Sequence, residues 1–288
     1  VKFPDVDTKS ATAVAAFVRQ KFAACYAPGS GTSGWFDRVF DDVGALFAGR
    51  HPDYLAIDLR YHDLQHTFQA AVCLTVIFEQ VQTSFCRLTL SPRQWELGIA
   101  AILLHDTGYL KLRGDTTGTG AKYTYCHVVR SCAFAASYLP TVGASPSEID
   151  GVVAAISCTG PGKEVGRLHF NDPVERWIGH ALATADYLGQ MAAADYPDEL
   201  EFLYAEFAES DDFAHVPATQ RAFSSVEALV MLTPGFWRKV VLPKLDSDFQ
   251  GIYRYLATPY PAGRNAYIEA IERNIVLIEE RNLRRATA

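Results

Sequence analysis

The chain lacks the long apolar run that a membrane span needs. Its longest apolar stretches, residues 70–78 and 99–104 of 288, fall well short of the ~20 residues that cross a bilayer, so no membrane contact is expected. Basic charge is also scarce: 26 Lys and Arg against 33 Asp and Glu leave a net charge of −7. Duplex nucleic acid, whose phosphates demand clustered Lys and Arg, is thereby excluded as an obligatory partner. A small anion stays compatible, because a metal ion can supply local positive charge. The six cysteines, Cys25, Cys73, Cys86, Cys126, Cys132 and Cys158, contain no CxxC pair. They read as reduced residues of a cytoplasmic protein rather than as a zinc–thiolate site. Strict alternation over a strand length is missing, with only short β-branched stretches such as Val240-Val241-Leu242. The segment Gly114-Asp115-Thr116-Thr117-Gly118-Thr119-Gly120 lacks phosphate-loop spacing and a Lys-Ser/Thr ending, and is expected to be a flexible lid or surface loop. Val1-Lys2-Phe3-Pro4 shows no basic segment followed by an apolar one, so no signal peptide is read there. The first residue is not Met, which suggests an engineered fragment or an excised domain, with loss of upstream regulatory sequence as an expectation.

What is present is a dense helical signal in a chain that is 49% hydrophobic, enough to bury a large core. Ser91-Pro92-Arg93-Gln94 places a cap residue, a Pro at the first helical position and Gln at the third, the pattern of a capping box. Ser145-Pro146-Ser147-Glu148 and Asp172-Pro173-Val174-Glu175 repeat that grammar. Further helices are expected over residues 11–26, 35–48 and 64–82. The fold class is therefore all-α, a compact multi-helix domain spanning 1–288. Within it, 1–50 form an N-terminal helical layer, 51–190 a central core and 191–288 a C-terminal helical layer.

Histidines and aspartates are distributed through that core in an order that carries chemistry. His62 and His66 lie four residues apart in Tyr61-His62-Asp63-Leu64-Gln65-His66, near one face of the helix expected from residue 64. His105-Asp106 closes an apolar helix, and Asp186 falls about four turns into another. Imidazoles and carboxylates delivered by separate helices to one point suit a divalent metal. Asp106 can bridge two ions, because a carboxylate has two oxygens.

The order of these residues resembles the HD superfamily of metal-dependent phosphohydrolases, and residues 61–67 are most similar to the signature of the cyclic-nucleotide phosphodiesterases. The resemblance implies an HD-domain, phosphodiesterase-like helical bundle holding one or two divalent ions (Zn, Fe, Mn or Mg) and a small phosphorylated substrate. It makes His66, His105, Asp106 and Asp186 the metal ligands and adds His127 as a candidate for a second ion. It makes His62 the proton donor to the leaving oxygen, oriented by Asp63 or by a Glu elsewhere. Thr233-Pro234-Gly235-Phe236 is similar to the phosphodiesterase segment whose Phe clamps the purine, with Thr233 at the position of the Gln that bonds its edge. Tyr109 and Cys158 stand where related proteins carry imidazoles, so a second ion is expected to bind more weakly. Tyr109, Lys111, Arg113, Lys122 and Arg130 are candidate substrate or phosphate contacts. An HD-type di-iron oxygenase and a non-catalytic nucleotide-binding regulatory module are the competing expectations.

Overall fold

The computed structural model describes residues 3–32, 34–84, 88–160 and 164–286. The expected capping grammar fixes the starts of three helices. Ser91 and Ser145 each form a reciprocal capping box, with Gln94 and Glu148, at the heads of α4 (Pro92–Leu104) and α6 (Pro146–Ile156). Asp172 accepts from the backbone N–H groups of Val174 and Glu175 at the head of α7 (Pro173–Met191). Asp63 caps α3 (Leu64–Thr83) by accepting from His66 N–H. The remaining helices are α1 (Ala11–Cys25), α2 (Trp35–Phe47), α5 (His127–Tyr138), α8 (Tyr196–Phe213), α9 (Val226–Phe236), α10 (Leu242–Asp246) and α11 (Ala266–Ala286). A two-stranded antiparallel ladder, Ala257–Thr258 with Arg264–Asn265, is the sheet content among the described residues.

α3 and α7 are apolar almost all round and form the most extensive helix pair of the molecule. Their crossing is close because Gly189 lies against Ala70: a Cβ at 189 would fall 2.8 Å from the α3 backbone. One continuous apolar core then runs from Val14 on α1 to Ile278 on α11, so the three layers expected from the sequence share it. Among the described residues no helix is long and apolar enough to cross a membrane. Cys25, Cys73, Cys126, Cys132 and Cys158 form no disulfide among the described residues, and Cys86 lies outside them.

Candidate metal centre

Three helices converge on one buried point. His66 arrives from the first turn of α3, His105 and Asp106 from the C-terminus of α4, and Asp186 from α7, one turn before the Gly189 crossing. His66 Nε2 lies 3.2 Å from Asp186 Oδ1 and 3.4 Å from Asp106 Oδ2. His105 Nε2 lies 3.2 Å from Asp106 Oδ2 and 3.4 Å from Asp186 Oδ1. Nitrogens and oxygens therefore alternate around the cluster, with His66, His105 and Asp106 offering ligand atoms that all lie within 4.8 Å of one another and Asp186 beside the two imidazoles. Ligand atoms held about 2.0–2.2 Å from an ion sit about 2.9–3.5 Å from their neighbours around it, and these separations match. His66, His105 and Asp106 are buried together and could hold a metal ion.

The chemistry of the cluster agrees with its dimensions. His105 Nδ1–H donates to the Ile102 carbonyl at 2.7 Å, which fixes the tautomer and aims Nε2 inward. His105 Nε2 and Asp106 Oδ2 are fully buried without a hydrogen-bond partner. Orphaned buried polar atoms cost about 1–3 kcal/mol each, a cost that a shared ion removes. Burial works to lower the His105 pKa, but the Asp106 and Asp186 carboxylates outweigh it and hold the imidazole well above the ordinary His value. Burial works to raise both aspartates, and His105 in turn holds them well below the usual carboxylate range. An ion entering this cluster would replace protons.

Outside the cluster stands His62. Its Nδ1–H donates to Glu206 Oε2 at 2.6 Å, and Glu206 Oε1 also accepts from Tyr61 N–H at 2.8 Å. Glu206, on α8, is the acidic neighbour that the sequence left unassigned; Asp63 is spent on its helix cap. Burial lowers the His62 pKa, but Glu206, Asp106 and Asp186 together raise it above the ordinary value. Gln190 adds a further contact: its Nε2 donates to the Asp186 carbonyl at 3.1 Å and lies 3.4 Å from Oδ1, while its Oε1 accepts from Tyr61 O–H at 2.5 Å. The open edge of the site runs past His62, Asp186 and His127, whose side chains keep 16%, 13% and 13% exposure.

The other candidates sort into two groups. His127 joins the site, with Nε2 3.8 Å from Asp106 Oδ1 and Nδ1 bonded to the Thr124 carbonyl at 2.7 Å. Its approach requires Gly108, where a Cβ would meet the His127 carbonyl oxygen at 1.9 Å. Tyr109 is buried on Leu59 and Ala121, and its ring stacks at 4.5 Å on both His62 and His127. Instead of facing a substrate it supports two imidazoles. Lys111 pairs with Asp58 at 2.8 Å and donates to the Gly118 carbonyl at 2.5 Å, while Lys122 pairs with Asp115 and donates to the Thr117 carbonyl. Arg113 donates to the carbonyls of Gly49, His51 and Pro52, and Arg130 to those of Gly108 and Leu110. All four cations are thus occupied in holding loops, and Lys111 is a structural clamp rather than a substrate contact.

The loop expected to be a flexible lid or a surface loop is pinned in the same way, since Glu209 accepts from Thr119 N–H at 2.5 Å and Asp58 accepts from Gly120 N–H at 2.9 Å. Thr233 is buried and donates its hydroxyl to the Leu229 carbonyl at 2.9 Å. Phe236 is 38% exposed with its ring 6.5 Å from Tyr187, and neither residue borders the cavity beside His66. Cys158 packs against Gly179 on α7, two turns before Asp186, and takes no part in the cluster. Compared with known proteins, the chain matches no family model and no curated sequence.

Proposed function

We propose that the chain is a metal-dependent phosphoric ester hydrolase acting on a small phosphoester, most like the phosphodiesterases of small nucleotides. The observation that carries this reading is the pairing of two devices side by side: a buried set of two imidazoles and two carboxylates, and a third imidazole held by its own carboxylate at the open edge. His66, His105, Asp106 and Asp186 would hold the ion. A divalent ion there supplies Lewis-acid activation of water and neutralises charge on a phosphoryl group. Two imidazoles beside two carboxylates suit Zn, Fe or Mn better than Mg, which prefers an all-oxygen set.

The rest of the chemistry belongs to side chains of this chain. Glu206 engages Nδ1 of His62, fixes the ring and favours the imidazolium, so Nε2 can donate a proton to the departing oxygen. Tyr109 stacks on the same ring and limits its rotation. Gln190 and Tyr61 hold Asp186 in place from behind. Because Lys111, Lys122, Arg113 and Arg130 are committed to loop contacts, substrate charge falls to the ion and to His62.

The test is metal analysis of the purified protein combined with an activity panel. A bound divalent ion and metal-dependent release of a phosphomonoester or phosphate from phosphodiester and monoester substrates are expected. Dioxygen uptake by two equally tight irons would transfer the assignment to the oxygenase class.

A further inference from the structure

We propose that the half-open cavity behind His66 is a binding site for a small neutral polyol, a short carbon chain with a hydroxyl on most of its carbons. The cavity measures about 280 Å³ and lies between the first turn of α3, the end of α7 and the start of α8. That volume is close to the lower end of the range usual for small-molecule sites, about 300–1,000 Å³. His66 borders it, but His62, Asp186 and His127 do not, so it is separate from the open edge of the metal cluster.

Four imidazoles gather at the centre, and the protein engages Nδ1 of three of them: His62 through Glu206, His105 through the Ile102 carbonyl and His127 through the Thr124 carbonyl. His66 is the exception. Its Nε2 faces Asp106 and Asp186, so Nδ1 points away from the cluster, and no group among the described residues accepts from it. Tyr196 repeats the pattern, with only 5% of the residue exposed and a hydroxyl that bonds to no group among the described residues. Neither atom is sealed within the protein, and both residues border the cavity, so the little access that each has is to this space. An imidazole that binds metal through Nε2 carries its proton on Nδ1 and ordinarily donates it to an acceptor that fixes the ring. For His66 that acceptor has to come from whatever fills the cavity.

The ligand class follows from the other groups that face it. Asp63, Asp195 and Glu199 border the cavity with one guanidinium, Arg60, which lies over the Phe202 ring at 3.6 Å. Asp195 accepts from the Gln65 amide through Oδ2 at 3.2 Å, Asp63 caps α3 through Oδ1, and Glu199 forms no hydrogen bond among the described residues. Carboxylate oxygens accept only and need a donor, whereas His66 Nδ1–H needs an acceptor. An anion brings no donor to the carboxylates, and an ammonium brings no acceptor to the imidazole. A hydroxyl is both, and neighbouring hydroxyls place several such groups on one small molecule without requiring a net charge. A polyol also reproduces the hydrogen bonds of the waters it displaces, so the exchange loses little affinity.

The contact with His66 rests on the reading of that residue as a metal ligand, and the experiment separates the two. The full chain, with its ion and after chelation, is titrated calorimetrically with erythritol, with 1,4-butanediol, which lacks the inner hydroxyls, and with the anion erythronate. Erythritol should bind saturably, butanediol about tenfold more weakly, as expected for two lost hydrogen bonds, and erythronate weakest. Tyr196→Phe keeps the ring and removes the hydroxyl, and Glu199→Ala removes the carboxylate. Each should weaken erythritol by about three- to tenfold while circular dichroism stays unchanged. Because the polyol steadies His66, erythritol should also slow loss of the ion to a chelator, and butanediol at the same concentration should not. Erythritol binding to a chain that holds no ion would support this site while removing the metal reading. Absence of saturable erythritol binding, butanediol or erythronate binding as tightly, indifference to both variants, or an ion whose loss ignores bound erythritol would overturn the proposal.

Discussion

The two oxygens of Asp106 look out on unlike surroundings. Oδ2 faces His66 and His105 at 3.2–3.4 Å, in full burial and with no hydrogen bond to satisfy it. Oδ1 faces a single imidazole, His127, at 3.8 Å, with the Tyr109 ring stacked on it. The first side gathers two imidazoles and a second carboxylate, and the second a single imidazole beside the opening. The difference follows from backbone geometry. The Gly189 crossing brings Asp186 onto the Oδ2 side, whereas the Gly108 contact brings only the first turn of α5 to the other.

The sharpest way to break the contrast is Asp106→Ala. Both sides then lose their shared carboxylate, and metal content measured by plasma spectrometry and hydrolysis should both vanish. A variant that kept its ion and turnover would refute the assignment. His62→Ala acts on the chemistry alone: the ion should stay, and turnover should drop by about 10²–10⁴-fold, as for loss of a general acid. The drop should be smaller for a nitrophenyl ester, whose leaving group needs little protonation. Equal losses on good and poor leaving groups would reject His62 as the proton donor.

Gln190→Leu tests whether the Oδ2 side depends on what stands behind it. Metal affinity, read by competition with a chelator, should fall about 10–100-fold, the usual effect of removing a partner that orients a ligand. A milder change sharpens the other side. Glu206 holds His62 protonated above the ordinary His range, and the acid role requires the protonated form. Activity should therefore decline as pH rises through that raised pKa. Glu206→Gln removes the raising charge, so the alkaline decline should begin at lower pH while the acidic limb is unmoved. The smallest effect belongs to Lys111→Met. Its ammonium is paired with Asp58 and the Gly118 carbonyl, so KM for a phosphoester should stay within about threefold, and any loss should appear as stability of roughly 1 kcal/mol.

How much of this was legible in the sequence depended on the reach of each signal. Ser91, Ser145 and Asp172 announce their helices because a cap and its partners lie within four residues. His66, His105, Asp106 and Asp186 were readable as an ordered set, since His66 opens one helix, His105-Asp106 follows the end of another and Asp186 lies within a third, in the order that the resemblance implies. Glu206 was not readable, because α8 carries acidic residues on several faces and nothing local marks the one that reaches His62. Lys111 and Lys122 looked available for phosphate because a sequence does not display the Asp58 and Asp115 that neutralise them. Val240-Val241 shows tertiary packing overriding propensity: these β-branched residues lie in a π-helical turn, Trp237–Val241, that joins α9 to α10.

The close crossing of α3 and α7 has a kinetic side. His66 and Asp186 belong to segments far apart along the chain, and they meet only when Gly189 has seated on Ala70. No fragment of the unfolded polypeptide can offer both groups together, so whatever binds between them binds the folded chain alone and stabilises it by mass action. Contacts that close so long a loop are intrinsically slow to form. Capture of an ion would then mark the moment at which the two central helices lock, and its escape on heating would signal that they have begun to part.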